Sequence, residues 1–195
     1  MIAALVLAAG KSMRMGRPKM LLPWGRATVL EQVIRSVQDA GIQDILVVSG
    51  GGRDEVEKIT AQYKVRTTYN EKFESEEMLA SIQCGLRAQK TGTEAVLICL
   101  GDQPQVEEGS VRSVCATFDK TRSSIIVPSY QMRRGHPWLV ARPLWSELLD
   151  LQAPHSPRDF LNMHSAEIEY VVLDSPSIIE DLDTPEDYLK FKPSV

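Results

Sequence analysis

Residues 3–23, "AALVLAAGKSMRMGRPKMLLP", decide the fold. Ala3 to Ala8 is a run without a single polar position, the pattern of a strand buried on both faces of a parallel sheet. The run ends at Gly10, and four of the nine residues from Lys11 to Lys19 are Lys or Arg. In open α/β sheets the loops at the carboxyl ends of the strands are where ligands bind. Ala8, Ala9 and Gly10 carry almost no side chain, so backbone amides there can come close to a flat or anionic ligand. Lys11, Arg14, Arg17 and Lys19 can neutralise a triphosphate, the guanidinium groups making paired hydrogen bonds. A solvated basic loop is the plainer reading, but such a loop has no need of small residues between strand and charges. Two familiar phosphate motifs are absent. A P-loop (GxxxxGKS/T) is excluded because five residues separate Gly10 from Gly16 and Arg17 follows; GxGxxG does not occur.

Outward from this stretch, strand-length apolar runs alternate with helical periodicity. Helices are expected where apolar positions fall three and four apart: Leu30 to Val37 (ended by Gly41), Asp54 to Gln62, Met78 to Ala88, Val111 to Phe118, Leu144 to Leu149, Arg158 to Met163 and Pro185 to Phe191. Strands are expected at Asp44 to Val48, Val65 to Tyr69, Ala95 to Leu100, Ser124 to Val127, Trp138 to Ala141 and Ile168 to Leu173. The alternation implies one α/β domain over residues 1–195, three layers deep, with a mostly parallel, Rossmann-like sheet. Two loops at its carboxyl edge have functional composition: the one after Ala8 and the one after Leu100.

Bulk composition narrows the function. Among 195 residues, 43% are apolar and the net charge is −4, so the surface has no general attraction for nucleic acid or an anionic membrane. No apolar run reaches the ~20 residues of a membrane span. The short N-terminal run lacks a preceding basic segment, so no signal peptide is expected. Cys84, Cys99 and Cys115 form no CxxC pair, and His136, His155 and His164 have no zinc-ligand spacing. Free thiols in a reducing cytoplasm are expected.

The opening stretch resembles the signature of nucleotidyltransferases that attach a nucleoside monophosphate to the molybdenum cofactor. It is written LAAGxSxRMGxxKxLLP in the cytidylyltransferase branch, and every fixed position is met. That resemblance implies a nucleotidyltransferase-type sheet and a nucleotide site at Leu7, Ala8, Ala9, Gly10, Lys11, Ser12, Arg14 and Lys19. Three further stretches fall in the expected order. In "LGDQP" (residues 100–104), Asp102 directly follows a buried strand and points a hard oxygen ligand out of the edge, which suits Mg²⁺; an Asp in a turn is the alternative. In "DLDTPED" (residues 181–187), Thr184 onward is a helix start. Asp181 and Asp183 remain, and the resemblance implies that one of them is the second Mg²⁺ ligand, Asp183 being favoured. In "RRGHPWL" (residues 133–139), the RGHP segment implies that a neutral His136 contacts the pterin or the nucleotide.

Departures from the signature fall downstream. "EEMLASIQCGL" places Glu77 ahead of Met78, where relatives often carry glycine, while Ser81 and Gly85 match positions that line the nucleobase pocket. A late GDxGAR element is reduced to "PHSPRDFL", with Arg158 retained as the acceptor-side candidate. Taken together, the resemblance implies transfer of CMP from CTP to molybdenum-loaded molybdopterin, with Lys19, Arg14 and Asp102 catalytic and Mg²⁺ as cofactor. Transient contact with a molybdenum hydroxylase or its chaperone is implied too. The competing readings are a guanylyltransferase, a sugar- or polyol-phosphate nucleotidyltransferase, and a non-catalytic carrier of the molybdenum cofactor.

Overall fold

The all-apolar run that opens the chain becomes the middle of the sheet. A computed structural model describes residues 1–10, 18–74 and 78–193. In chain order the elements are β1 (Ile2–Ala8), β2 (Pro23–Trp24), β3 (Ala27–Thr28), α1 (Val29–Asp39), β4 (Ile45–Ser49), α2 (Arg53–Gln62), β5 (Arg66–Tyr69), α3 (Met78–Arg87) and β6 (Ala95–Leu100). Then come α4 (Glu108–Thr121), β7 (Ile125–Tyr130), β8 (Arg133–Arg134), β9 (Trp138–Ala141), α5 (Trp145–Asp150), α6 (Pro157–Met163), β10 (Ile168–Val172) and α7 (Pro185–Phe191). The main sheet runs β10-β7-β9-β6-β1-β4-β5, with β8 attached to β7. β1 pairs in parallel with both β4 and β6, and Leu7 lies opposite Leu100.

Alternation along each strand supplies two cores. Ala4, Val6 and Ala8 of β1 face α1, α2 and α4, whereas Leu5 faces α3, α5 and α6. The three-layer α/β/α arrangement expected from the sequence is therefore present. Trp138 and Phe160, almost wholly enclosed, anchor the second face; burying such a side chain contributes about 1.5–3 kcal/mol. α3 comes unusually close to the sheet because position 85 is glycine: a Cβ there would collide with the side chain of Leu5. α1 starts on a capping box in which Thr28 Oγ1 accepts from Glu31 N–H and the Glu31 carboxylate accepts from Thr28 N–H. It stops at Asp39, shortly before Gly41 at φ 98°.

The sheet departs from uniform parallel pairing at β9, which is antiparallel to both β6 and β7. Between β7 and β8 the chain turns on Gln131 and Met132, both at positive φ (47° and 65°), the two-residue connection of a hairpin. A connection that short leaves no room for a crossover helix, so the chain must reverse direction. α4 extends beyond its apolar positions at both ends, with Glu108 in the first turn and Lys120 in the last, as the helix dipole favours. The β2–β3 hairpin forms a third small core: Leu22, Trp24, Val29 and Leu182 pack together with Tyr188 and Phe191 of α7. Tyr188 also donates its hydroxyl hydrogen to the Pro23 carbonyl (2.5 Å). This cluster ties the segment after Lys19 to the segment after Asp183.

Candidate active site at the carboxyl edge

Two glycines let the chain crowd together where β1 ends. Gly101 N–H donates to Leu7 O (2.9 Å), and a Cβ on Gly101 would lie 2.7 Å from that same oxygen. On the other side, a Cβ on Gly50 would lie 2.7 Å from Ala9 O. The Ala8–Gly10 backbone thus runs between the ends of β4 and β6, and Asp102 emerges beside it. Among the described residues, nothing lies within 4 Å of where a Cβ on Gly10 would stand. Lys11, Ser12, Arg14 and Arg17, expected to complete the phosphate loop, lie outside the described residues, as does Glu77.

Lys19 resumes the described chain in a single 3₁₀ turn and reaches back over this edge. Its Nζ lies 2.8 Å from Asp183 Oδ1 and 3.5 Å from Asp102 Oδ2, with its side chain only 12% exposed. Three of the residues singled out from sequence, separated by up to 164 positions, therefore meet at one ammonium. Asp181 is held differently. Buried Gln103 donates from Nε2 to Asp181 Oδ1 (2.7 Å), and Gln105 donates to the Glu180 carbonyl. The loop after β6 thereby grips the segment that carries both aspartates. Burial raises the Asp102 pKa, against the attraction of Lys19. Burial likewise raises Asp181, opposed by its hydrogen bond from Gln103 and by the more distant charges of Lys19 and Arg133. Among the described residues no group of three or more His, Cys, Asp or Glu is arranged to hold a metal; the carboxylates that converge here are two.

The remaining candidates sit on the far side of the sheet edge. Ser81 accepts a hydrogen bond from Asn70 Nδ2 (3.1 Å) and is buried. Gly85 is enclosed against Leu5. His136 and Arg158 line one cleft of about 740 Å³ together with Arg133, Arg134, Trp138 and Leu161. Among the described residues, three arginines and no acidic residue line it, in a chain of net charge −4. Burial pushes His136 down to about 4, so its imidazole is neutral at physiological pH. Its Nδ1 is enclosed and has no partner among the described residues. Gly135 is required by close approach, because a Cβ would collide with the Ile178 carbonyl that also accepts from His136 N–H.

Gln103, Arg134 and the partners of Arg134 were not singled out by sequence reasoning. The doublet Arg133–Arg134 is the available signal, since consecutive strand residues point to opposite faces and two adjacent arginines put a charge on each.

A strand-exit strip of small residues, one lysine shared by two aspartates and a cleft lined by three described arginines lie at the carboxyl edge of a nucleotidyltransferase-type fold. Chain-wide likeness agrees. Rv0371c from Mycobacterium tuberculosis H37Rv superposes with a TM-score of 0.85 at 28% identity, over 100% of this chain and 99% of that one. Its complex with manganese gives 0.79 at 27%, with the same coverage. The chain belongs to the family of the MobA-like NTP transferase domain, whose model matches residues 4–168. Among curated relatives, the molybdenum cofactor cytidylyltransferase of Escherichia coli (strain K12) is 28% identical over 194 residues, 98% of this chain and 95% of that protein. Nicotine blue oxidoreductase of Paenarthrobacter nicotinovorans is 27% identical over 195 residues, 95% of this chain and 93% of that protein. None of the described helices is long and apolar enough to cross a membrane.

Proposed function

We propose that this nucleotidyltransferase-family protein transfers CMP from CTP to molybdenum-loaded molybdopterin, giving molybdopterin cytosine dinucleotide and pyrophosphate. The observation that carries this reading is the meeting of Lys19, Asp102 and Asp183 at the exit of β1. A phosphate oxygen of the acceptor attacks the α-phosphorus of CTP, and pyrophosphate leaves. The nucleophile is already ionised, so the site needs alignment and charge neutralisation rather than a general base. Lys19 meets the charge that develops at the α-phosphate, while Lys11, Arg14 and the amides around Gly10 hold the β- and γ-phosphates. The acceptor enters from the arginine cleft.

The donor set suits Mg²⁺. Asp102 and Asp183 reach the same Lys19 ammonium, so their oxygens converge. A pair of carboxylates completed by water and phosphate is an ordinary shell for that ion. Asp181, engaged by Gln103, is the weaker candidate. When bound, the ion neutralises charge shared between triphosphate and acceptor. That the mycobacterial relative forms a complex with manganese supports a divalent cation as cofactor.

CTP as donor is supported by the cytidylyltransferase relative of nearly equal length. The test is pyrophosphate release with each of the four NTPs, Mg²⁺ and molybdenum-loaded molybdopterin. Release with CTP alone is expected. GTP-only release would overturn the cytidylyl assignment, turnover with sugar or polyol phosphates would overturn the acceptor, and silence with all four would favour a carrier.

A further inference from the structure

The arginine cleft is more ordered than a chance cluster of charge. Arg134 lies on β8, whose two residues pair with Ser129 and Tyr130 of β7. Its guanidinium is fixed from behind at two points: Nε donates to Tyr170 Oη (2.9 Å), and Nη1 donates to Asn162 Oδ1 (2.8 Å). The Tyr170 ring also faces the guanidinium, 5.8 Å from its centroid. Tyr170 comes from β10 and Asn162 from α6, so two separate elements hold one half-buried side chain in one orientation. Of five guanidinium N–H groups, these bonds use two, leaving one on Nη1 and two on Nη2, the nitrogens of the outer edge. An arginine held still with that edge unsatisfied is the geometry for paired recognition of a phosphate. Around it, Trp138, Leu161 and Met78 offer an apolar wall. Arg133, its neighbour on β8, is close enough to Asp181 to influence that carboxylate, which links the cleft to the Lys19 group.

We infer that Arg134, oriented by Tyr170 and Asn162, anchors the attacking phosphomonoester of a flat, fused-ring acceptor from the cleft side, with a group that the triphosphate loop does not supply. Arg133 and Arg158 add unoriented positive charge at its rim. This inference rests on the cleft being the acceptor side of the transferase. Its ligand class is a phosphomonoester dianion on a planar heterocycle, and the anion is recognised before the ring.

The test is direct binding, read by pterin fluorescence, of 6-hydroxymethylpterin monophosphate and of 6-hydroxymethylpterin itself to the intact protein. The phosphorylated probe should bind at least ~10-fold more tightly, the effect expected of charge-assisted hydrogen bonds. Arg134→Met should abolish that preference while leaving CTP binding unchanged. Arg134→Lys should restore little of it, because an ammonium lacks the planar fork. Tyr170→Phe removes one exposed hydroxyl, so folding is not at stake, and it should weaken the phosphorylated probe ~3-fold. Equal binding of the two probes to the wild-type protein would overturn the inference. So would a preference that survives Arg134→Met, or a parallel loss of CTP affinity. Because binding is read without turnover, silence in the pyrophosphate assay would count against the cytidylyl reading and not against this site.

Discussion

The two halves of the candidate site are built on opposite principles. On the Lys19 side, charges of opposite sign meet directly: one ammonium lies between two carboxylates, and glycines at positions 50 and 101 let backbone stand where side chains would be. On the Arg134 side, charges of one sign are gathered and held by neutral groups, a phenol and an amide. The first arrangement is suited to a species whose charge changes during reaction, since ammonium and carboxylates can re-pair around it. The second is suited to holding an anion in one orientation without exchanging partners. On the proposed function, a triphosphate that must part with pyrophosphate and an acceptor phosphate that must be aimed differ in that respect.

Substitutions that damage one half and spare the other would sharpen this contrast. The largest effect is expected from Lys19→Ala: kcat falls by ~10²-fold or more, with affinity for the phosphorylated pterin retained. Steady-state kinetics alongside probe binding checks it, and a fall in probe affinity of the same size would merge the two halves. Next, Gln103→Leu frees Asp181 and loosens the segment bearing Asp183, so Mn²⁺ affinity measured by calorimetry in the presence of CTP should fall ~10-fold. Asp181→Asn should cost less than Asp183→Asn in that titration; the reverse order would reassign the carboxylate pair. Arg158→Met should raise the acceptor KM only ~3-fold, because Arg158 is exposed and has no hydrogen-bond partner among the described residues. An effect larger than that of Arg134→Met would contradict the fixed-anchor reading.

The smallest effect concerns the wall behind the cleft. His164, on the turn that follows α6, is caught between Glu147 (2.8 Å) and Glu167 (3.0 Å). Burial opposes its protonation, but the hydrogen bonds to Glu167 and Glu147 prevail and its pKa is raised. A raised histidine contributes stability that is complete below its unfolded value near ~6.5 and is lost as pH climbs through the folded value. The urea midpoint of wild type minus that of His164→Gln should therefore shrink as pH rises from about 5.5 to 8.5. A difference that grows with pH would have the wrong sign.

Legibility in the sequence followed the range of the interactions. β1 and β6 were readable because burial on both faces leaves no polar position, and Asp102 followed from its place after such a strand. Lys19 stood out through a long local signature. The direction of β9 was not readable, since it depends on the two-residue turn at Gln131–Met132, where neither residue is the glycine or asparagine that such turns favour. The choice between Asp181 and Asp183 stayed open because the group that separates them, Gln103, lies 78 positions away from Asp181. Arg134 was visible as one of a doublet, but its orientation comes from Asn162 and Tyr170, 28 and 36 positions on. Position 85 carries a constraint that the signature does not show: the glycine matching a nucleobase-lining position is also, in the fold, the point where α3 presses on Leu5.

The most direct measurement follows CTP labelled at its α-phosphorus in a single turnover with molybdenum-loaded molybdopterin and Mg²⁺. Label should move to the pterin product with the wild-type protein and at least ~10²-fold more slowly with Lys19→Ala. Label that stays in CTP with the wild-type protein, or moves equally fast without Lys19, would contradict nucleotidyl transfer at this edge.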